Sequence, residues 1–518
     1  MSPLYLFLFC ALFVAVYSQS SPSRPTGLFI DCGATARYDN IWVLDNGYVF
    51  SGVPRSVIIP ENPYFVRTLS TVRSFPLEGH IRRKFCYVLP VTRNVKYLVR
   101  TTYFYGGVNG RDSPPVFDQI VDGTFWSVVN TTEDYAMGRW SYYEGVFVPA
   151  VKTMSICVAG NTYTDSDPFI SALEVVRLDN SLYNSTDFKK YGLSLVARNS
   201  FGYGGPLIKF PDDKFDRYWE PFGEISPTIQ SFRNLSDSGI WNLPPSKVFS
   251  TELTSDQGMP RELRWPQRSL PNSTYYIALY FADDHDASLG NITVLNIAIN
   301  GIQYYSNLSV TSAGVAVFAT QWPLSGLTTI TLAPPPGSAM GALINAGEVF
   351  NVLPLGGRTL TRDVVALNVV NKSLENPPLD WNGDPCLPRQ YSWTGVVCSY
   401  ETRIRVVALN LTSMGIRGPL SPEIANLTAL TEIWLGNNTF WGTIPDLSNL
   451  KMLETLHLED NHFSGVIPPS LGNIVKLREL FLQNNELGGE VPNSLKVKPG
   501  LNLKTYGNQF LVQAPPTN

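Results

Sequence analysis

Between residues 403 and 501 the apolar positions recur in one frame, Leu-x-x-Leu-x-Leu-x-x-Asn-x-Leu-x-Gly-x-Ile-Pro. One copy runs Leu430, Ile433, Leu435, Asn438, Phe440, Gly442, Ile444, Pro445. The next runs Leu453, Leu456, Leu458, Asn461, Phe463, Gly465, Ile467, Pro468, and the third Leu477, Leu480, Leu482, Asn485, Leu487, Gly489, Val491, Pro492. A weaker copy precedes them, with Leu409, Leu411, Ile416, Gly418 and Leu420 in frame and Met414 in place of the asparagine. A fragment, Leu501 to Phe510, closes the series. The period of 23 to 24 residues predicts one short strand and one turn per copy. The frame leucines pack on neighbouring copies, because a single copy cannot cover its own apolar face. The asparagine side chain replaces ladder bonds that the backbone gives up in the turn.

Residues 403–510 are therefore read as a leucine-rich-repeat solenoid. Such a stack needs its open first edge covered. The stretch Trp381-Asn382-Gly383-Asp384-Pro385-Cys386, followed by Trp393-Thr394-Gly395-Val396-Val397-Cys398, reads as that cap, stapled by Cys386–Cys398, within a linker-and-cap region 353–402.

Upstream the periodicity changes. From residue 27 to 350, short β-branched or alternating runs such as Tyr97–Tyr105, Thr153–Val158, Tyr275–Phe281 and Val294–Gly301 are separated by Gly, Pro, Asn and Asp turns. This is a β-sandwich pattern, too long for one sandwich, so two are expected, at 27–197 and 198–352. The halves echo each other: Tyr97–Tyr105 resembles Tyr276–Phe281, and Pro168–Val175 resembles Ala342–Val349. The glycine-rich stretch Arg198–Phe210 is the expected joint. The fold class is thus mostly β, two tandem sandwiches followed by a short α/β solenoid.

Composition supports export. Of 518 residues, 44% are hydrophobic and 16% charged, with a formal charge of −4, a globular balance with no electrostatic reason to expect a nucleic-acid partner. Leu4–Val16 is apolar, and Val16-Tyr17-Ser18 offers small residues for cleavage, so residues 1–18 read as a signal peptide. That run of about 13 apolar residues is short of the ~20 that span a bilayer. No later stretch is apolar enough to span, and direct membrane insertion is not expected. Asn-x-Ser/Thr sequons stand at Asn130, Asn184, Asn234, Asn272, Asn291, Asn307, Asn371, Asn410, Asn426 and Asn437. Beyond the cap pair, Cys32, Cys86 and Cys157 leave two readings open: one further disulfide with a free thiol, or three inert core cysteines. Their spacing gives no metal site.

Several motifs then carry a resemblance. Asp31-Cys32-Gly33, Val72–Pro76, Cys86-Tyr87, Tyr105-Gly106-Gly107, Phe117-Asp118, Pro168–Glu174, Pro211-Asp212-Asp213 and Arg217-x-Trp219 resemble plant malectin-like ectodomains. Gly383-Asp384-Pro385-Cys386 followed by repeats resembles the extracellular half of malectin-like leucine-rich-repeat receptor kinases of the symbiosis receptor kinase type. The resemblance implies a secreted receptor-like protein of the apoplast or cell surface, without membrane helix or kinase, that binds a cell-wall glycan or a peptide and works with a receptor kinase.

Two candidate sites follow. Animal malectin binds glucose disaccharides through loop aromatics and an aspartate, which points to Tyr103, Phe104, Tyr105 and Asp118, residues whose types suit a sugar but which also suit packing. The loop Asp283-Asp284-His285-Asp286 has cation-ligand residue types, though a solvated charged loop accounts for it as well. On the solenoid, the positions between buried strand leucines are Asn410, Trp434, His457 and Phe481, flanked by Glu432, Glu459, Glu479 and Gln483. They predict one aromatic column on the concave face, suited to a protein or peptide partner, with the Asn410 sequon at its head. No Ser-His-Asp set, phosphate loop, His-Glu-x-x-His or paired carboxylates appear, so neither an enzyme nor a cofactor is expected. A carbohydrate-active enzyme and a structural wall-adhesion protein are the alternatives.

Overall fold

A computed structural model describes residues 24–60, 67–77, 83–110, 114–223, 239–283 and 292–512. The expected signal peptide, Asn234, Asn291 and the Asp284–Asp286 part of the charged loop lie outside them.

The β-rich region is built around one sheet shared by both halves. Its order is Trp42–Leu44, Gly27–Asp31, Ala172–Arg177, Tyr97–Tyr103, Ser141–Phe147, Tyr191–Phe201, Ala346–Pro354, Leu270–Phe281, Val315–Gly326. The first half packs a second sheet on it, ordered Lys84–Pro90, Thr153–Gly160, Val116–Val121, Thr124–Asn130. The second half does the same with Arg261–Arg264, Thr329–Ala333, Thr293–Ile299, Ile302–Val310. Each half thus has its own apolar core. The echo in the sequence is a repeated pairing: Tyr97–Tyr103 pairs with Ala172–Arg177, and Leu270–Phe281 with Ala346–Pro354, both antiparallel.

The joint differs from expectation. Strand Tyr191–Phe201 spans the 197/198 division and pairs with Ser141–Phe147 on one side and Ala346–Pro354 on the other. The glycine-rich stretch does not separate the halves. It folds back over the outer face of the shared sheet, where Ile208, Phe215 and Trp219 join Leu98, Val146, Leu193 and Phe350 in a further core.

Beneath that cover a row of charges crosses five adjacent strands: Glu174, Arg100, Glu144, Arg198, Glu348. Arg100 bonds Glu174 (2.9 Å) and Glu144 (2.8 Å), and Arg198 bonds Glu144 (2.5 Å) and Glu348 (2.7 Å). Fully buried charges require such pairing. Tyr183 and Tyr280 donate to the two oxygens of Glu348 at 2.7 and 2.6 Å. Burial alone pushes the Glu348 carboxyl up. Arg198, Arg217 and the Tyr280 hydrogen bond outweigh it and hold the group below its usual value.

The first-half motifs also do structural work. Asp31 accepts from Thr71 Oγ1 at 2.7 Å. Burial pushes its carboxyl up to about 6, with the Thr71 bond opposing and the Asp45 carboxylate adding to the rise. Gly33 sits at φ +76° with the Val72 carbonyl where a Cβ would be, 2.1 Å away, so no other residue fits without moving backbone. Of the open cysteine readings, the first holds: Cys86 and Cys157 face each other across two paired strands and are bonded, and Cys32 is a buried free thiol. Cys386–Cys398 forms as expected.

The region 353–402 is not only linker. Thr361–Ser373 is an α-helix that buries Ala366, Leu367 and Val370 against the solenoid core. The cap strand Val396–Cys398 runs antiparallel to Val406–Asn410 and closes the first edge of the repeats. Parallel strands Glu432–Trp434, Thr455–His457, Glu479–Phe481 and Asn502–Lys504 follow.

The cap is docked on the second sheet of the first half. Lys84 Nζ donates to the carbonyls of Asp384 and Leu387, the Cys86 amide donates to Asn382 Oδ1 at 2.8 Å, and Tyr391 Oη donates to Asp118 Oδ2 at 2.6 Å. Gly383 lies on the disulfide, where a Cβ would come within 2.7 Å of Cys86 Sγ. No described helix is long and apolar enough to cross a membrane.

Candidate functional site

In each repeat the strand alternates, so Ile433, Leu456 and Leu480 point into the stack and Trp434, His457 and Phe481 point out. The register is fixed from below by asparagines. Asn438 Nδ2 donates to the Leu411, Leu435 and Gly436 carbonyls, and its Oδ1 accepts from the Met414 and Ile416 amides. Asn461, Asn485 and Asn508 make equivalent sets. This ladder satisfies turn backbone groups that lack strand partners.

Register then aligns Asn410, Trp434, His457, Phe481 and Lys504 across five strands. The Trp434 and His457 rings lie 4.2 Å apart and tilted, His457 and Phe481 stack at 4.1 Å, and Lys504 Nζ sits 3.9 Å from the Phe481 ring centre. The column expected from the sequence is therefore present, with one difference. His457 is 5% exposed, sandwiched between its neighbours, so Trp434 and Phe481 supply the accessible rings. Carboxylates order the rings: His457 Nε2 is 3.1 Å from Glu479 Oε2, its Nδ1 is 3.7 Å from Glu459 Oε1, and Trp434 Nε1 donates to Glu432 Oε2 at 3.1 Å. Sequence reasoning missed Lys504, whose fragmentary copy keeps Leu503 and Asn508 in frame but has Gly500 and Thr505 where the other copies carry leucines. It yields a column of three rings ended by a cation.

The first-half candidates have other roles. Tyr103, Phe104 and Tyr105 are at most 5% exposed. Tyr103 packs on Phe117, Tyr143 and Phe169 and donates to Gln119 Oε1, and Tyr105 packs on Tyr135 and Phe169. No face of these rings is open for a sugar to stack on, because the run belongs to a central strand and the turn directly after it. Asp118 is occupied by Asn161 and Tyr391. Asp283 is likewise buried and accepts from Thr293, and no metal-holding group of three His, Cys, Asp or Glu occurs among the described residues.

Of the described sequons, Asn130, Asn184, Asn272, Asn307, Asn410, Asn426 and Asn437 are exposed, as a glycan requires. Asn371 is half-buried, and its Nδ2 donates to the Trp381 carbonyl at 2.9 Å. A cavity of about 590 Å³ opens beside it, between the cap helix and the first half, with Phe50, Asp122, Arg358 and Trp381 among its walls.

The malectin-like domain family matches residues 30–352, and leucine-rich repeats match 452–474 and 476–497. The chain belongs to the malectin-like family. Two Arabidopsis thaliana relatives of this malectin-like protein are leucine-rich-repeat receptor-like serine/threonine-protein kinases. One is 30% identical over 471 residues, 85% of this chain and 49% of the relative. The other is 29% identical over 444 residues, 83% and 50% respectively. The malectin-like chain thus spans about half the length of the curated relatives it matches. Among solved structures it resembles the ANX2 ectodomain from Arabidopsis thaliana, with TM-score 0.52 and 16% identity over 63% of this chain and 97% of that one. It also resembles a chain in the complex of the plant peptide RALF23 with FER and LLG2, with TM-score 0.50 and 17% identity over 64% and 96%. These likenesses show the fold, a malectin-like ectodomain with C-terminal repeats.

Proposed function

We propose that this chain is an extracellular, receptor-type recognition module that binds a peptide or protein partner on the concave face of its solenoid and works together with a receptor kinase. The observation that carries the reading is the column of Trp434, His457 and Phe481, held in register by buried asparagines and edged with carboxylates. Rigid aromatic anchors of this kind concentrate binding energy. Membership in a family whose relatives are receptor-like kinases supports it, as does the likeness to an ectodomain fold found in a peptide complex. The buried Tyr103, Phe104 and Tyr105 lend no support to a cell-wall glycan as the ligand, and a binding role is preferred here over catalysis or wall adhesion. The test is affinity capture from apoplastic fluid with the purified chain and with Trp434→Ala/Phe481→Ala, followed by calorimetry on the captured partner. Loss of about 2 kcal/mol or more per anchor is expected. Equal binding by both proteins refutes the reading.

A further inference from the structure

One step beyond the aromatic column, the repeats carry a second row: Gly436, Glu459, Gln483 and Tyr506. The row is set by parallel backbone bonds, with Asn437 N donating to the Glu459 carbonyl, Asp460 N to that of Gln483, and Asn484 N to that of Tyr506. Gly436 makes room for its neighbour: a Cβ there would come within 2.5 Å of Glu459 Oε1, so the carboxylate lies down over the glycine. Two acceptors in this row are shielded from solvent and lack a protein donor among the described residues, Glu459 Oε2 and Gln483 Oε1. Gln483 is 8% exposed. Buried side-chain oxygens are nearly always bonded, so a pair left open on adjacent strands of a binding face is a donor-seeking niche.

The niche has a definite chemistry. One acceptor is a carboxylate, the other a neutral carbonyl, and the residues that carry them stand side by side on neighbouring repeats, whose backbones run about 4.8 Å apart. Beside them lie the Trp434 and His457 rings and two more carboxylates, Glu432 and Glu479. The cation on this column, Lys504, sits at the far end over Phe481 and disfavours a second positive charge there. What fits at the Trp434 end is a planar cation with several N–H donors and a stackable face. A guanidinium has five donors in one plane and stacks on aromatics, whereas an ammonium is a compact point charge. We propose that the niche of Glu459 and Gln483 receives an arginine side chain of the partner peptide, the two side chains turning outward so that its guanidinium bridges their oxygens while its stem lies along Trp434. The assignment rests on the reading of the concave face as the partner-binding surface.

An immobilised array of random twelve-residue peptides, probed with the full chain, tests it. Retained peptides are expected to share an arginine. Replacing that arginine by lysine should weaken binding about tenfold, and by norleucine further. Glu459→Gln and, separately, Gln483→Leu should weaken the same peptides about tenfold or more while the thermal melt stays in place. The peptide-side substitutions keep the test valid if either variant folds poorly. Peptides that depend on Trp434 but ignore arginine and Glu459→Gln overturn the arginine assignment and leave the concave-face reading standing. No retained peptide, or binding indifferent to Trp434→Ala as well, overturns both.

Discussion

Replacing Arg198 by Met breaks the charged row at the strand common to both halves. Arg198 Nη1 lies 2.5 Å from Glu144 and its Nε 2.7 Å from Glu348, and all three side chains are fully buried. The substitution keeps the stem and removes the charge. Glu144 retains Arg100, and Glu348 retains Tyr183 and Tyr280, so neither carboxylate is wholly abandoned, but the excess negative charge of the row rises from one to two. Removing one partner of a buried pair costs about 3–5 kcal/mol, and the retained partners place this case near the lower end. At roughly 2 °C per kcal/mol for a large unit, Tm should fall by about 6 °C at pH 7.5. The sign of the pH dependence is fixed too. In the native chain Glu348 is held below its ordinary 4.5, so its contribution is present above that pH and is lost as pH falls through the lower folded value. Without Arg198, burial raises the same carboxyl, which then takes up a proton on mild acidification. The Tm gap between native and variant should therefore narrow from pH 7.5 to 4.5, and Arg198→Met/Glu348→Gln should recover part of it. Differential scanning calorimetry across that range is the assay. A gap under about 2 °C at pH 7.5, or one that widens in acid, refutes the compensation argument.

Asp31→Asn keeps the acceptor for Thr71 and removes a buried charge whose carboxyl sits at about 6 against an ordinary 3.8. Because the folded value is the higher one, the variant's advantage should grow as pH rises from about 4 to 6 and level off above, which a Tm series shows. Tyr391→Phe leaves Asp118 without its cap-side donor and should cost about 1–3 kcal/mol, seen as faster amide exchange across residues 379–391 with the repeats unchanged. Asn461→Ala removes donors to Leu435, Leu458 and Glu459 and the acceptor for Phe440. It should destabilise the solenoid by several times the cost of one hydrogen bond, about 1 kcal/mol each, and lower its denaturant midpoint while the β-rich region keeps its own.

The repeats were legible because their frame is local: every position that sets the concave column recurs within 24 residues. Lys504 is harder to place because the last copy has Gly500 and Thr505 at two of the frame leucine positions. Long-range pairing was not legible. Asp118, next to an aromatic, reads as a ligand carboxylate, yet its partner Tyr391 is 273 residues downstream. Arg100 sits in a strand-like run that gives no hint of Glu144 or Glu174. The Cys86–Cys157 bond depends on which strands become neighbours, and sequence spacing is silent on that. The helix Thr361–Ser373 is not legible because its apolar residues, Val364, Val365, Ala366, Leu367, Val369 and Val370, go round it instead of forming one stripe, and Val365 and Val369 end exposed.

The shared sheet has a consequence for biosynthesis. Strand Tyr191–Phe201 cannot complete its pairing until Ala346–Pro354 has been made, and Arg198 waits for Glu348, 150 residues later. At translation rates of about 5–20 residues per second, that edge stands open for roughly 8–30 s. An exposed edge carrying an arginine resists adding a foreign strand, and Arg198, paired with Glu144 on the strand beside it, still lacks its second carboxylate. A charge buried in the finished sheet is thus the one that guards the nascent chain while the second half is still being synthesised.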